Sequence, residues 1–94
     1  MLKHIVLFKR HEGVEKAEFD SVINKFSGLS ESIPVIAGWW FRLPEGAETG
    51  YEAGFVSEFA SDEDLAAYQV HPAHEELAKA AGAVASAAVF DAWD

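Results

Sequence analysis

Seven residues from Tyr68 to His74, Y-Q-V-H-P-A-H, bring a phenol, two imidazoles and a proline together. Imidazole titrates near neutral pH, so it can act as a general base without a cofactor. A tyrosine hydroxyl or a second imidazole can donate to an oxygen that gains charge when a carbonyl enolises. Pro72 fixes φ and lacks an N–H, so it suits the first turn of a helix and breaks an interior. One helix is therefore predicted to end near Val70 and a second to start at Pro72. His71 then sits near the N-cap and His74 in the first turn. The positive end of that helix disfavours a proton on His74, whereas Glu75 and Glu76 favour one. A third imidazole, His4, joins the pair if it points to the helix side of the sheet. The catalytic reading takes His74 as base, with Tyr68 and His4 as hydrogen-bonding groups. The alternative is a buried polar network closing a sheet–helix junction, since buried polar groups must find partners. Three imidazoles could also hold zinc. Pro72 leaves the direction of His71 open, and no acidic residue is fixed to support the ring nitrogens, so no metal is expected.

The elements that must position these groups follow from hydrophobic spacing. Residues 2–9 read as a first strand, with Leu2, His4, Val6 and Phe8 on one face and Ile5 and Leu7 on the other. Residues 14–27 read as a helix, whose buried face carries Phe19, Val22, Ile23 and Phe26 and runs on to Leu29. Gly28 is expected to stop it, and Ser30 to Pro34 to form a loop. Residues 35–43 form a second strand, with Trp39 and Phe41 opposite Ile36 and Trp40. Pro44 to Gly50 is a hairpin-length loop, and residues 51–59 a third strand. Ser61 and Asp64 resemble a capping box and start the next helix. The helix from Pro72 runs to about Ala81, with Gly82 as its end. Residues 84–93 are a fourth strand, although the alanine-rich run from Ala78 to Ala88 could extend the helix instead.

The 94 residues make one domain, 1–94. Half of them are apolar, enough to form a core. A net charge of −9, with no basic cluster beyond Lys9 and Arg10, argues against nucleic acid or an anionic membrane as partner. The absence of cysteine excludes disulfides and thiolate catalysis. The opening apolar run is too short for a signal peptide or membrane span, and a cytoplasmic location is expected.

The order β-α-β-β-α-β with right-handed crossovers gives an α+β, ferredoxin-like fold with helices on one face of the sheet. The other face of a monomer should be polar. Here neither face of the first two strands is, and a bare apolar sheet face is rare on a soluble monomer. A homodimer through the open sheet faces is expected, with Trp39 and Trp40 as packing residues.

The segments K-H-I-V-L-F-K near the start and A-Y-Q-V-H-P-A-H in the last third resemble the stress-responsive dimeric α/β-barrel (Dabb) family. Gly50-Tyr51 opening the third strand and Ser57-Glu58-Phe59 closing it fit too. The resemblance implies a homodimer whose two sheets form a barrel with helices outside. It also implies similarity in key residues to a plant branch typified by olivetolic acid cyclase, which closes a linear polyketide by a cofactor-free aldol reaction. In that branch the strand-1 histidine matches His4, a tyrosine matches Tyr68, the catalytic histidine matches His74, and His71 has a counterpart. Bulky aromatic residues of the cyclase pocket are replaced here by alanines near Ala85 and Ala88, which alters the pocket shape. Two functional readings follow. One is a stress-responsive protein binding a small apolar molecule between sheet and helices, against Val6, Phe8, Val22, Phe26, Phe55 and His71. The other is a cyclase or isomerase acting on a polyketide-like ligand, with no cofactor. A catalyst should leave His74 facing a cavity open to solvent.

Overall fold

The computed structural model describes residues 1–43 and 50–94; the loop predicted from Pro44 lies, apart from Gly50, outside them. The first strand, β1 (Leu2–Arg10), leads through a turn at Gly13 to helix α1 (Lys16–Ile23). Gly13 has φ +86°, a left-handed conformation open to glycine. Arg10 secures this turn, donating to the Val14 carbonyl and pairing with Glu52. A 3-10 turn (Asn24–Gly28) and a short helix α2 (Leu29–Ser32) follow. Then come β2 (Gly38–Arg42), β3 (Ala53–Phe59), α3 (Asp62–Gln69), α4 (Pro72–Gly82) and β4 (Ala85–Trp93). The four antiparallel strands run in the order β2-β3-β1-β4, the ferredoxin-like arrangement.

The boundaries at Gly28 and at the start of β2 differ from expectation, α1 and β3 each start two residues later than predicted, and the alanine-rich run divides where the main reading placed the helix end. Gly28 does not stop the helical path. Its φ is −97°, so it makes no left-handed C-cap. The chain continues to Ser32 because Leu29 and Ile33, one turn apart, are both buried. Strand β2 starts at Gly38, not at residue 35, because the Ile36 N–H is used in a turn to the Ile33 carbonyl. The alanine-rich run divides at Gly82, so helix propensity yields to strand pairing from Ala85 onward.

Strand alternation builds the core. Leu2, His4, Val6 and Phe8 of β1 pair with Phe59, Ser57, Phe55 and Ala53 of β3, and all eight are buried. Phe19, Ile23, Phe26 and Leu29 cover them from the helix layer. The opposite face bears an apolar row across all four strands. In register it reads Trp40, Val56, Ile5 and Phe90, with Trp40 51% and Phe90 64% exposed.

Ser61 caps α3 by accepting from the Asp64 N–H at 3.1 Å. Ser61→Ala should cost about 1 kcal/mol, measured by urea denaturation. An unchanged midpoint would show that the cap contributes nothing. No helix among the described residues is long and apolar enough to cross a membrane.

Candidate functional site

A cavity of about 330 Å3 lies between the sheet and α4. Val6 and Phe8 of β1 and Phe55 of β3 form its floor, and Phe26 closes one side. Small residues form the wall opposite: Ala78, Ala81 and Gly82 of α4, with Ala85 and Ala87 of β4. His4, His74 and Gln69 supply the polar lining. His4 and Phe8 are four residues apart on one strand face, so they mark opposite ends about 13 Å apart. The phenylalanine end is a contact cluster, with ring centroids 5.2 Å (Phe8–Phe26), 5.7 Å (Phe26–Phe55) and 6.1 Å (Phe8–Phe55) apart. Exposed Gln69, Ala78, Ala87 and Val89 in the lining open the cavity to solvent.

Pro72 places His74 in the first turn of α4, with His71 as N-cap. The His71 Nδ1 accepts from the Ala73 N–H at 3.1 Å, so this ring completes the cap and lies off the cavity wall. The His74 Nδ1 lies 3.0 Å from the Gln69 carbonyl oxygen. A carbonyl only accepts, so Nδ1 carries the hydrogen and Nε2 keeps its lone pair. Burial pushes the His74 pKa down from 6.5, and the nearby His4 adds to this. The hydrogen bond to Gln69 and the charge of Glu75 act the other way, more weakly. The ring is therefore a neutral base at pH 7. The folded chain binds fewer protons here than the unfolded chain at pH values between the lowered pKa and 6.5. Stability from this group is thus complete above pH 6.5 and falls as acidification passes the folded pKa. An NMR titration should put the His74 midpoint below 6.5; a midpoint above it would contradict this assignment.

His4 lies on the helix side of β1, with its side chain 6% exposed. Its Nδ1 is 2.5 Å from a carboxylate oxygen of Asp91. Register explains the contact, since His4 and Asp91 are direct partners on adjacent strands. An acidic residue is thus fixed beside the imidazoles, contrary to expectation. A carboxylate can only accept, so Nδ1–H donates and Nε2 is left for the cavity. The available signal was the strand phase, because Asp91 falls on the same face as Ala85, Ala87 and Val89. Among the described residues no three histidine or carboxylate groups come together as a metal site.

Tyr68 is fully buried between these rings, with centroids 4.4 Å from His74 and 5.8 Å from His4. It stands behind the cavity wall, and its hydroxyl has no partner among the described residues. Burial raises its pKa far above the ordinary value, so the phenol stays protonated and can only donate or accept a hydrogen bond. An unsatisfied buried hydroxyl costs about 1–3 kcal/mol. Tyr68→Phe should therefore leave stability unchanged or raise it, measured by thermal melting; a clear loss would mean the hydroxyl has a partner. Val22 packs against the core away from the cavity. Of the nine residues singled out in the sequence, His4, Val6, Phe8, Phe26, Phe55 and His74 share the cavity wall. Tyr68, His71 and Val22 do not.

The model of the stress responsive A/B barrel domain matches residues 2–94. The stress-response A/B barrel domain-containing protein HS1 of Arabidopsis thaliana is 34% identical over 80 residues, covering 82% of this chain and 73% of that protein. A dimeric ferredoxin-like protein of unknown function from Bacteroides fragilis is 30% identical, covers 99% of this chain and 95% of its own, and superposes with a TM-score of 0.86. The hydroxynitrile lyase of Passiflora edulis shares the fold, with a TM-score of 0.79 at 20% identity, covering 97% of this chain and 90% of its own. This chain belongs to the stress-responsive A/B barrel domain family.

Proposed function

We propose that this chain is a homodimeric binding protein that holds a small, largely apolar molecule between its sheet and α4. The cavity carries this reading: about 330 Å3, walled by phenylalanine, valine and alanine, with two imidazoles at one end. That volume is at the lower end of ligand sites. It suits a single ring or short chain with one polar group, and the polar group would face His4 and His74. The homodimer is supported by the exposed apolar row on the outer face and by the dimeric Bacteroides relative. Sedimentation velocity on the wild type and on Ile5→Asp tests it. A dimer lost in the variant is expected; a wild type monomeric at micromolar concentration would refute it.

A second reading, a cofactor-free cyclase or isomerase, is favoured by one observation: the His74 Nδ1 is spent on Gln69, and its Nε2 has no partner among the described residues. In this reading Nε2 takes a proton from the carbon beside a carbonyl, and the electron pair moves to the carbonyl oxygen. His4 has its Nδ1–H held by Asp91, so it serves that oxygen as a donor only when its Nε2 also carries a proton. Tyr68 joins only if its hydroxyl turns into the cavity. For a polyketide-like ligand the enolate carbon then attacks a second carbonyl, and the proton on His74 passes to the new alkoxide.

A further inference from the structure

Strand β4 is an edge of the sheet, yet it carries exposed apolar side chains on both faces. Phe90 projects from the outer face. Val89 and Trp93 project from the helix side, 57% and 55% exposed. Between them stands Asp91, the residue that holds His4, and Val89 itself lines the cavity. Val89 is therefore on the rim of the site, with Asp91 and Trp93 beyond it toward the end of the strand.

Stacking two outer faces covers Phe90. It cannot reach Val89 or Trp93, which lie on the other side of the sheet. Four strands at about 4.8 Å spacing and seven residues at about 3.3 Å rise give a flat footprint of roughly 450 Å2. A standard stable interface takes about 800 Å2 from each partner. A flat footprint is smaller than the accessible surface it carries, so the stacked faces approach that standard, and wrapping around the β4 edge adds both further area and unpaired strand hydrogen bonds.

We infer that a second copy of this chain covers Val89 and Trp93 on the helix side of β4, so that dimerisation closes the mouth of the cavity. This rests on the homodimer reading above. By linkage, an occupant held under that closure stabilises the dimer, and dilution to monomers weakens its binding by the same factor.

The chain has no cysteine, so single thiols report cleanly. Val89→Cys and Trp93→Cys are compared with Glu63→Cys, an exposed control on α3, by their rates with a disulfide reagent. Sedimentation velocity at the same concentrations gives the oligomeric state. Where the chain is dimeric, positions 89 and 93 should react at least about tenfold more slowly than position 63. They should match it when Ile5→Asp or dilution makes the chain monomeric. Ala87→Cys keeps both apolar side chains and gives the same comparison if either probe weakens the dimer. A dimer in which all three positions react at the control rate overturns this inference and leaves the homodimer standing. A chain monomeric throughout overturns the homodimer and this inference with it.

Discussion

His74→Ala should slow base-catalysed enolisation by about 10²–10⁴-fold at pH 7, the usual worth of a positioned general base. The reaction can be followed without the natural substrate, as exchange of the methyl protons of acetophenone in heavy water. The expectation follows from the ring's geometry. Gln69 holds Nδ1–H, burial keeps the ring neutral, and the ring lines the cavity. The structural cost should be small. The variant loses one hydrogen bond, worth about 1 kcal/mol, and should remain folded by circular dichroism. Wild-type exchange no faster than that of His74→Ala would remove the catalytic reading while leaving the binding one. Asp91→Asn separates the roles further. It weakens the acceptor behind His4 without touching the base, so it should lower the exchange rate less than His74→Ala does.

The largest effect on stability is expected at Phe55. Its ring packs 4.6 Å from Trp39, 5.7 Å from Phe26 and 6.1 Å from both Phe8 and His4. It joins the phenylalanine end of the cavity to its imidazole end. Phe55→Ala should cost about 3–5 kcal/mol through lost burial and a residual void. Small domains have only about 5–15 kcal/mol in total. The measurement is the shift in denaturant midpoint at constant slope. A loss below about 1 kcal/mol would mean that the wall collapses around the gap.

The fold was legible because its strands alternate and its caps are explicit. His4, Val6 and Phe8 at period two fixed which face of β1 meets the helices. Pro72 marked the α3–α4 junction, and Ser61 with Asp64 marked the start of α3. What stayed hidden depended on long-range register or on backbone torsion. The Asp91 contact to His4 spans 87 positions in sequence and appears only once β1 and β4 are paired. Gly28 carried a stop signal in composition, but the helical path runs on through it because Leu29 and Ile33, just beyond it, are both buried. Tyr68 and His74 are neighbours, as their spacing implied. Yet α3 ends before α4 begins, so one ring faces the core and the other the cavity. Nothing local to the heptapeptide decides that.

The most direct test of the account is NMR of the isotope-labelled chain titrated with acetophenone and its longer-chain homologues. Ala78→Phe, which narrows the cavity from its exposed rim, serves as the control. Saturable shifts are expected at His4, Val6, Ala85 and His74. Affinity should fall off as the chain outgrows about 330 Å3, and binding should be lost in Ala78→Phe. Shifts that never saturate, or that persist unchanged in Ala78→Phe, would contradict it.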